Sequence, residues 1–134
     1  MRYKTIPPQL FVNNRKRFAK ELKPGALALF NSNDIMPTSA DGTMAFKQQT
    51  DFFWLSGVDQ EESILLVFPD SKLPEHREIL FLRETNEEIA IWEGEKLTKS
   101  KAIETSGIQT VYWLSQFKTI FRQLMCECEH VYLS

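Results

Sequence analysis

The segment Phe52-Phe53-Trp54-Leu55, closed by Ser56-Gly57, constrains this chain more than any other. Four consecutive large apolar side chains fit neither the period of a half-buried strand nor that of an amphipathic helix, so the block must be covered on nearly all sides. Thr50 suits an N-cap, Asp51 places negative charge beside the first-turn N–H groups, and Gly57 can take the left-handed conformation that stops a helix. The expectation is one short capped helix buried between two strands. An aromatic platform for bases or sugars would need exposed rings among cations, and Lys47 is the one cation nearby.

With 134 residues the chain reads as a single domain, 1–134, long enough to bury a core without metal or disulfide staples. Its 16 basic and 18 acidic residues are spread along the sequence, so no electrostatic footprint for nucleic acid or an anionic membrane is visible. No apolar run approaches the roughly 20 residues of a membrane span. Cys126 and Cys128 are the two cysteines and stand too close for an ordinary disulfide, which points to a reducing, cytoplasmic setting.

In chain order, Met1 to Phe11 carries Pro7 and Pro8 without periodicity and reads as an extended arm. Asn13 or Asn14 offers an N-cap for a basic helix, Arg15 to Leu22, with Phe18, Ala19 and Leu22 inward. Ala26 to Phe30 is a central strand, and Asn31 to Gly42 a long loop holding Asp34 and Asp41, whose first reading is a pair of local Asx turns. Ser63 to Phe68 and Glu78 to Arg83 read as antiparallel neighbours, with Leu73 to Arg77 a surface loop and His76 solvated. Thr85 to Glu88 has capping-box spacing and opens a short helix that Gly94 closes, with Trp92 near its end. Thr98 caps the next helix, Ser106-Gly107 ends it, and the strand Gln109 to Trp113 completes a βαβ step. Ser115 then caps the clearest amphipathic helix, with Phe117, Ile120, Phe121, Leu124 and Met125 on one stripe facing a sheet. His130 to Leu133 closes as a strand cut off at its end, as in an excised domain.

Ser39-Ala40-Asp41, the run Phe46 to Gly57 and Ile91-Trp92-Glu93-Gly94 together resemble the N-terminal domain of bacterial Xaa-Pro aminopeptidase, also called aminopeptidase P. The resemblance covers about Asn14 to Ser134. It implies an α/β fold in which a mixed six-stranded sheet carries helices on both faces, a ribonuclease H-like motif. It also implies a following catalytic domain of pita-bread fold that this chain does not contain, where two Asp, one His and two Glu hold two manganese ions and a bridging hydroxide attacks the amide before proline. No catalytic residue and no metal ligand is then expected in this chain. What it would supply is subunit contacts, in a homo-dimer or tetramer, and walls around the active-site mouth for a proline-containing peptide.

By that resemblance Trp92 is the tryptophan that reaches toward a neighbouring subunit's substrate pocket, and Asp41 an acidic position near the same mouth. A half-buried core Trp and an Asx turn are the plain alternatives. Two departures bear on substrate preference: Lys47 stands where the family often has Arg, which removes a bidentate fork, and Glu95 precedes Lys96 where a basic residue often follows the Trp-x-Gly. Other readings are a ribonuclease H-like nuclease, whose acidic strand residues are missing from Ala26 to Phe30 and Ser63 to Phe68, and a zinc site from Cys126, Cys128 and His130, which would share one face of a strand. A binding-only scaffold that lost its metals, and an Xaa-Pro dipeptidase, also fit.

Overall fold

The structure, a computed structural model, describes residues 6–32, 52–58, 62–84 and 98–133. Its elements are α1 (Pro8–Glu21), β1 (Ala26–Asn31), the short helix α2 (residues 52–56), β2 (Ile64–Val67), β3 (Glu78–Leu82), α3 (Lys99–Ser106), β4 (Thr110–Trp113), α4 (Phe117–Met125) and β5 (His130–Leu133). Among the described residues the strands form one mixed five-stranded sheet in the order β4-β3-β2-β1-β5. β2 pairs antiparallel with both β1 and β3, while β3 with β4 and β1 with β5 are parallel. The β3-α3-β4 step is the expected βαβ unit, because a parallel neighbour requires a crossover and α3 is that crossover.

Strict alternation along the central strands divides the core into two layers. Ala28, Phe30, Leu65, Val67, Leu80 and Leu82 point to the face covered by α1, α2 and α3. Leu27, Leu66, Ile79 and Phe81 point to the other, where Leu124 of α4 is buried and Phe117, Ile120 and Phe121 pack beside it. Strands apolar on both faces thus lie where helices sit above and below. The Thr98 hydroxyl accepts from Lys101 N at 3.3 Å to cap α3, as its sequence predicts.

Several expectations are corrected. Helix α1 begins at Pro8, so residues up to Phe11 are not an arm throughout, and Asn13 and Asn14 lie inside the helix. The tandem prolines favour this start: Pro7 is extended, and Pro8 at the first helical position has no N–H to leave unsatisfied. The Phe52–Leu55 block is helical but only half covered. Phe52 and Leu55 are buried, whereas Phe53 and Trp54 are 39% and 48% exposed, because in a helix residues three apart share a face and the two between them point away from it. Ser115 sits in a 3-10 turn, Leu114–Gln116, and does not cap α4; Gln116 Oε1 instead accepts from Trp113 N at 3.1 Å. Met125 at the end of the stripe is exposed. His76 belongs to the 3-10 turn Pro74–His76 and is 8% exposed, not solvated, and among the described residues its Nδ1 has no partner. Thr50, Asp51 and the Thr85–Gly94 helix expected from sequence lie outside the described residues.

Candidate functional site

Trp92 and Asp41, the two residues assigned to substrate binding, lie outside the described residues, as do Lys47, Glu95 and Lys96. The described surface that does gather aromatic and charged groups is a groove of about 770 Å³ between the second half of α1, Trp54 and β5. Phe18 and Leu22 form its wall on α1, Ala26 lies at its base, and His130 and Tyr132 stand on the β5 side. The strand pairing explains that side: His130 and Tyr132 are level with Ala26 and Ala28, and Ala28 faces the α1 layer. The Tyr132 ring meets Phe18 at 6.2 Å between centroids.

Trp54 is held where it is by a short chain of polar contacts. Gly57 at φ +74° stops α2, and its N–H donates to Phe53 O at 2.7 Å. The carbonyls left over at that end are taken by α1: Asn14 Nδ2 donates to Trp54 O at 2.8 Å, and Arg15 Nη1 to Leu55 O at 2.8 Å. Arg17 Nη2 donates to Asn14 Oδ1 at 2.7 Å, and its guanidinium lies 6.0 Å from the Trp54 ring centre, a cation–π distance. Arg15 occupies the position between Phe11 and Phe18 where an apolar stripe would place another hydrophobe. Its guanidinium is fully buried and its Nε lies 3.1 Å from Glu78 Oε1. Burial lowers the Arg15 guanidinium below its ordinary value, and the Glu78 carboxylate opposes that shift.

Sequence reading missed Asn14 and Arg15 because polar residues on a basic helix are ordinarily solvated. The available signal was their position on the face shared by Phe11, Phe18 and Leu22.

Cys126, Cys128 and His130 do not share a strand face: β5 begins at His130, and the cysteines lie in the turn that leaves α4. Cys126 N and Cys128 N continue the helical hydrogen bonding, donating to Gln123 O and Leu124 O, so the period-2 geometry the zinc reading needs never forms. Burial pushes the Cys128 thiol up, so less of it is thiolate. Among the described residues no three His, Cys, Asp or Glu side chains stand close enough to hold a metal ion.

A mixed sheet with helices on both faces, whose described polar side chains fix helix ends, defines an α/β domain. The chain belongs to the aminopeptidase P N-terminal domain family, whose model matches residues 11–132. It is similar to the Xaa-Pro aminopeptidase of Escherichia coli K12, 26% identical over 127 residues that cover 95% of this chain and 29% of that protein. Human Xaa-Pro aminopeptidase 3 is 28% identical over 75% of this chain and 20% of its own length. Among solved structures, E. coli aminopeptidase P with the inhibitor Pro-Leu superposes with TM-score 0.72 at 26% identity, covering 97% of this chain and 29% of that one. A Bacillus anthracis protein described as a putative aminopeptidase P reaches TM-score 0.76 at 22% identity over 96% of this chain and 31% of its own, which establishes the fold. The chain thus spans less than a third of the length of these relatives.

Proposed function

We propose that this chain is the non-catalytic N-terminal domain of a manganese-dependent Xaa-Pro aminopeptidase, a hydrolase that removes the N-terminal residue preceding proline. The observation that carries the reading is the family match over residues 11–132, in relatives named for that activity. Two manganese ions need carboxylates and an imidazole converging on rigid elements, and the donors present among the described residues do not fit such a pair. In this reading the metals and the chemistry belong to the implied catalytic domain, and no reaction step is assigned to this chain.

In this reading the domain's partners are its own catalytic domain, a second copy in a dimer or tetramer, and the proline-containing peptide, with neither nucleic acid nor membrane among them. Trp92 would lie against that peptide, where a large ring contributes contact at low entropic cost, and Asp41 would receive its amino end. The sixth strand and ribonuclease H-like layout belong to the same reading, five strands being described. So does a cytoplasmic setting, in keeping with two free thiols; among the described residues no helix is long and apolar enough to cross a membrane.

The test is to read the coding region past Ser134 and assay the full-length protein with manganese on short Xaa-Pro peptides. A continuation carrying the two Asp, one His and two Glu, with manganese-dependent release of the first residue, is the expected result. A continuation without those ligands would leave a binding scaffold and overturn the enzymatic reading.

A further inference from the structure

We propose that α1 is a hinged strap, seated on the ends of α2 and α3 by close fit and polar contacts, which opens as a unit while the sheet stays folded. The residues that this 14-residue helix buries are Phe11, Asn14 and Arg15, two of them polar. Phe11 belongs to neither layer of the sheet's core; its ring meets Phe53 at 5.8 Å instead. Phe18 and Leu22, which do pack against the core, are only partly buried. The Arg15–Glu78 pair is costly to break by truncating one partner, yet its net hold is small, because lifting α1 returns both charges to water together. Among the described residues Arg15 Nη2 has no hydrogen-bond partner.

The seat is specific where the hold is weak, because α2 and α3 end alike. Ser56 Oγ donates to Phe52 O at 2.8 Å and accepts from Val58 N at 3.1 Å; Ser106 Oγ donates to Ala102 O at 2.8 Å and accepts from Ile108 N at 3.0 Å. Gly57 and Gly107 then turn at φ +74° and +79°, and α1 lies against both. A Cβ on Gly57 would stand 2.5 Å from the Phe11 ring, and one on Gly107 2.6 Å from Val12 Cγ2, so the approach depends on glycine at each stop. The hinge is isolated from the sheet. α1 ends at Glu21 and the chain runs through Pro24 to Gly25, whose N–H donates to Asp70 Oδ2 at 2.7 Å and whose carbonyl accepts from Glu129 N at 2.7 Å. β1 thus keeps its place when α1 moves. Lifting α1 takes away Asn14, Arg15 and Arg17 at once, so Trp54 loses the donor on its carbonyl and the guanidinium beside its ring. Any ligand that prefers the seated Trp54 ring is thereby linked to the seating of α1, each favouring the other.

Native-state hydrogen exchange of the full-length protein in low denaturant, resolved to short overlapping peptides by mass spectrometry, tests this. Residues 8–21 are expected to exchange through a shared opening at least about tenfold more populated than that of 64–67 and 78–82, with a shallower denaturant slope. Asn14→Ala, which removes the donor on Trp54 O, is expected to raise exchange of 8–21 several-fold. Should that variant fail to fold, the wild-type exchange decides. Exchange of 8–21 with the free energy and slope of the strands would overturn the proposal, making α1 an integral part of the core. Exchange of 8–21 without any denaturant slope would overturn it as local fraying, and so would an unchanged rate in a folded Asn14→Ala. Neither result touches the aminopeptidase reading.

Discussion

Arg15 Nε in the middle of α1 lies 3.1 Å from Glu78 Oε1 at the first position of β3, and the same guanidinium donates through Nη1 to Leu55 O at the end of α2. One buried side chain thus ties three elements together. Removing either partner leaves unpaired polarity, and the two removals differ because Arg15 is fully buried while Glu78 is about a third exposed.

Glu78→Gln is expected to destabilise the domain by about 1–3 kcal/mol, less than a fully buried pair would lose, because water screens the exposed side of the carboxylate. Arg15→Ala is expected to cost more, about 3–5 kcal/mol, since it also empties core volume and strips Leu55 O of its donor. Urea unfolding midpoints of the two variants measure this, and an Arg15→Ala midpoint equal to wild type would contradict the network.

Gly57→Ala is expected to destabilise by about 2–4 kcal/mol, from a left-handed backbone together with overpacking. Gly57 has φ +74°, and a Cβ there would come within 2.5 Å of the Phe11 ring. Thermal melts decide it; a variant as stable as the parent would mean that α1 is not seated against α2 as described.

On the proposed aminopeptidase reading, Trp92→Ala in the full-length protein is expected to raise KM for short Xaa-Pro peptides without altering metal content. Unchanged kinetics alongside a lowered melting temperature would return Trp92 to the core.

Cys128 is expected to alkylate more slowly than a free thiol at mildly alkaline pH. Its folded pKa is raised, first by desolvation, so the stability it contributes is intact below the unfolded thiol value and is lost as pH rises through the folded one. Iodoacetamide kinetics followed by mass spectrometry across pH 7–10 give the outcome. A rate equal to that of a model thiol throughout would show that the turn after α4 is open.

The central strands and α4 were legible in the sequence because their information is local. Leu65 to Val67 and Ile79 to Leu82 are apolar on both faces, and the stripe from Phe117 to Leu124 repeats at helical spacing. Thr98 and Gly107 marked the ends of α3 for the same reason: a cap is a property of three or four adjacent residues. The candidate binding residues Trp92 and Asp41 came from motif likeness alone, and they lie outside the described residues.

The sequence by itself determined an α/β fold with buried central strands, and its motifs determined the family. Tertiary structure alone decided which polar residues would be interior. Asn14 and Arg15 look like part of a solvated basic helix until α2 ends against them and offers two carbonyls with no helical partner. It also decided that Phe53 and Trp54 would face outward and that β5 would lie exposed at the edge. Burial is a property of what stands opposite a residue, and that partner lies 40 positions away in sequence for Asn14 and Arg15 alike.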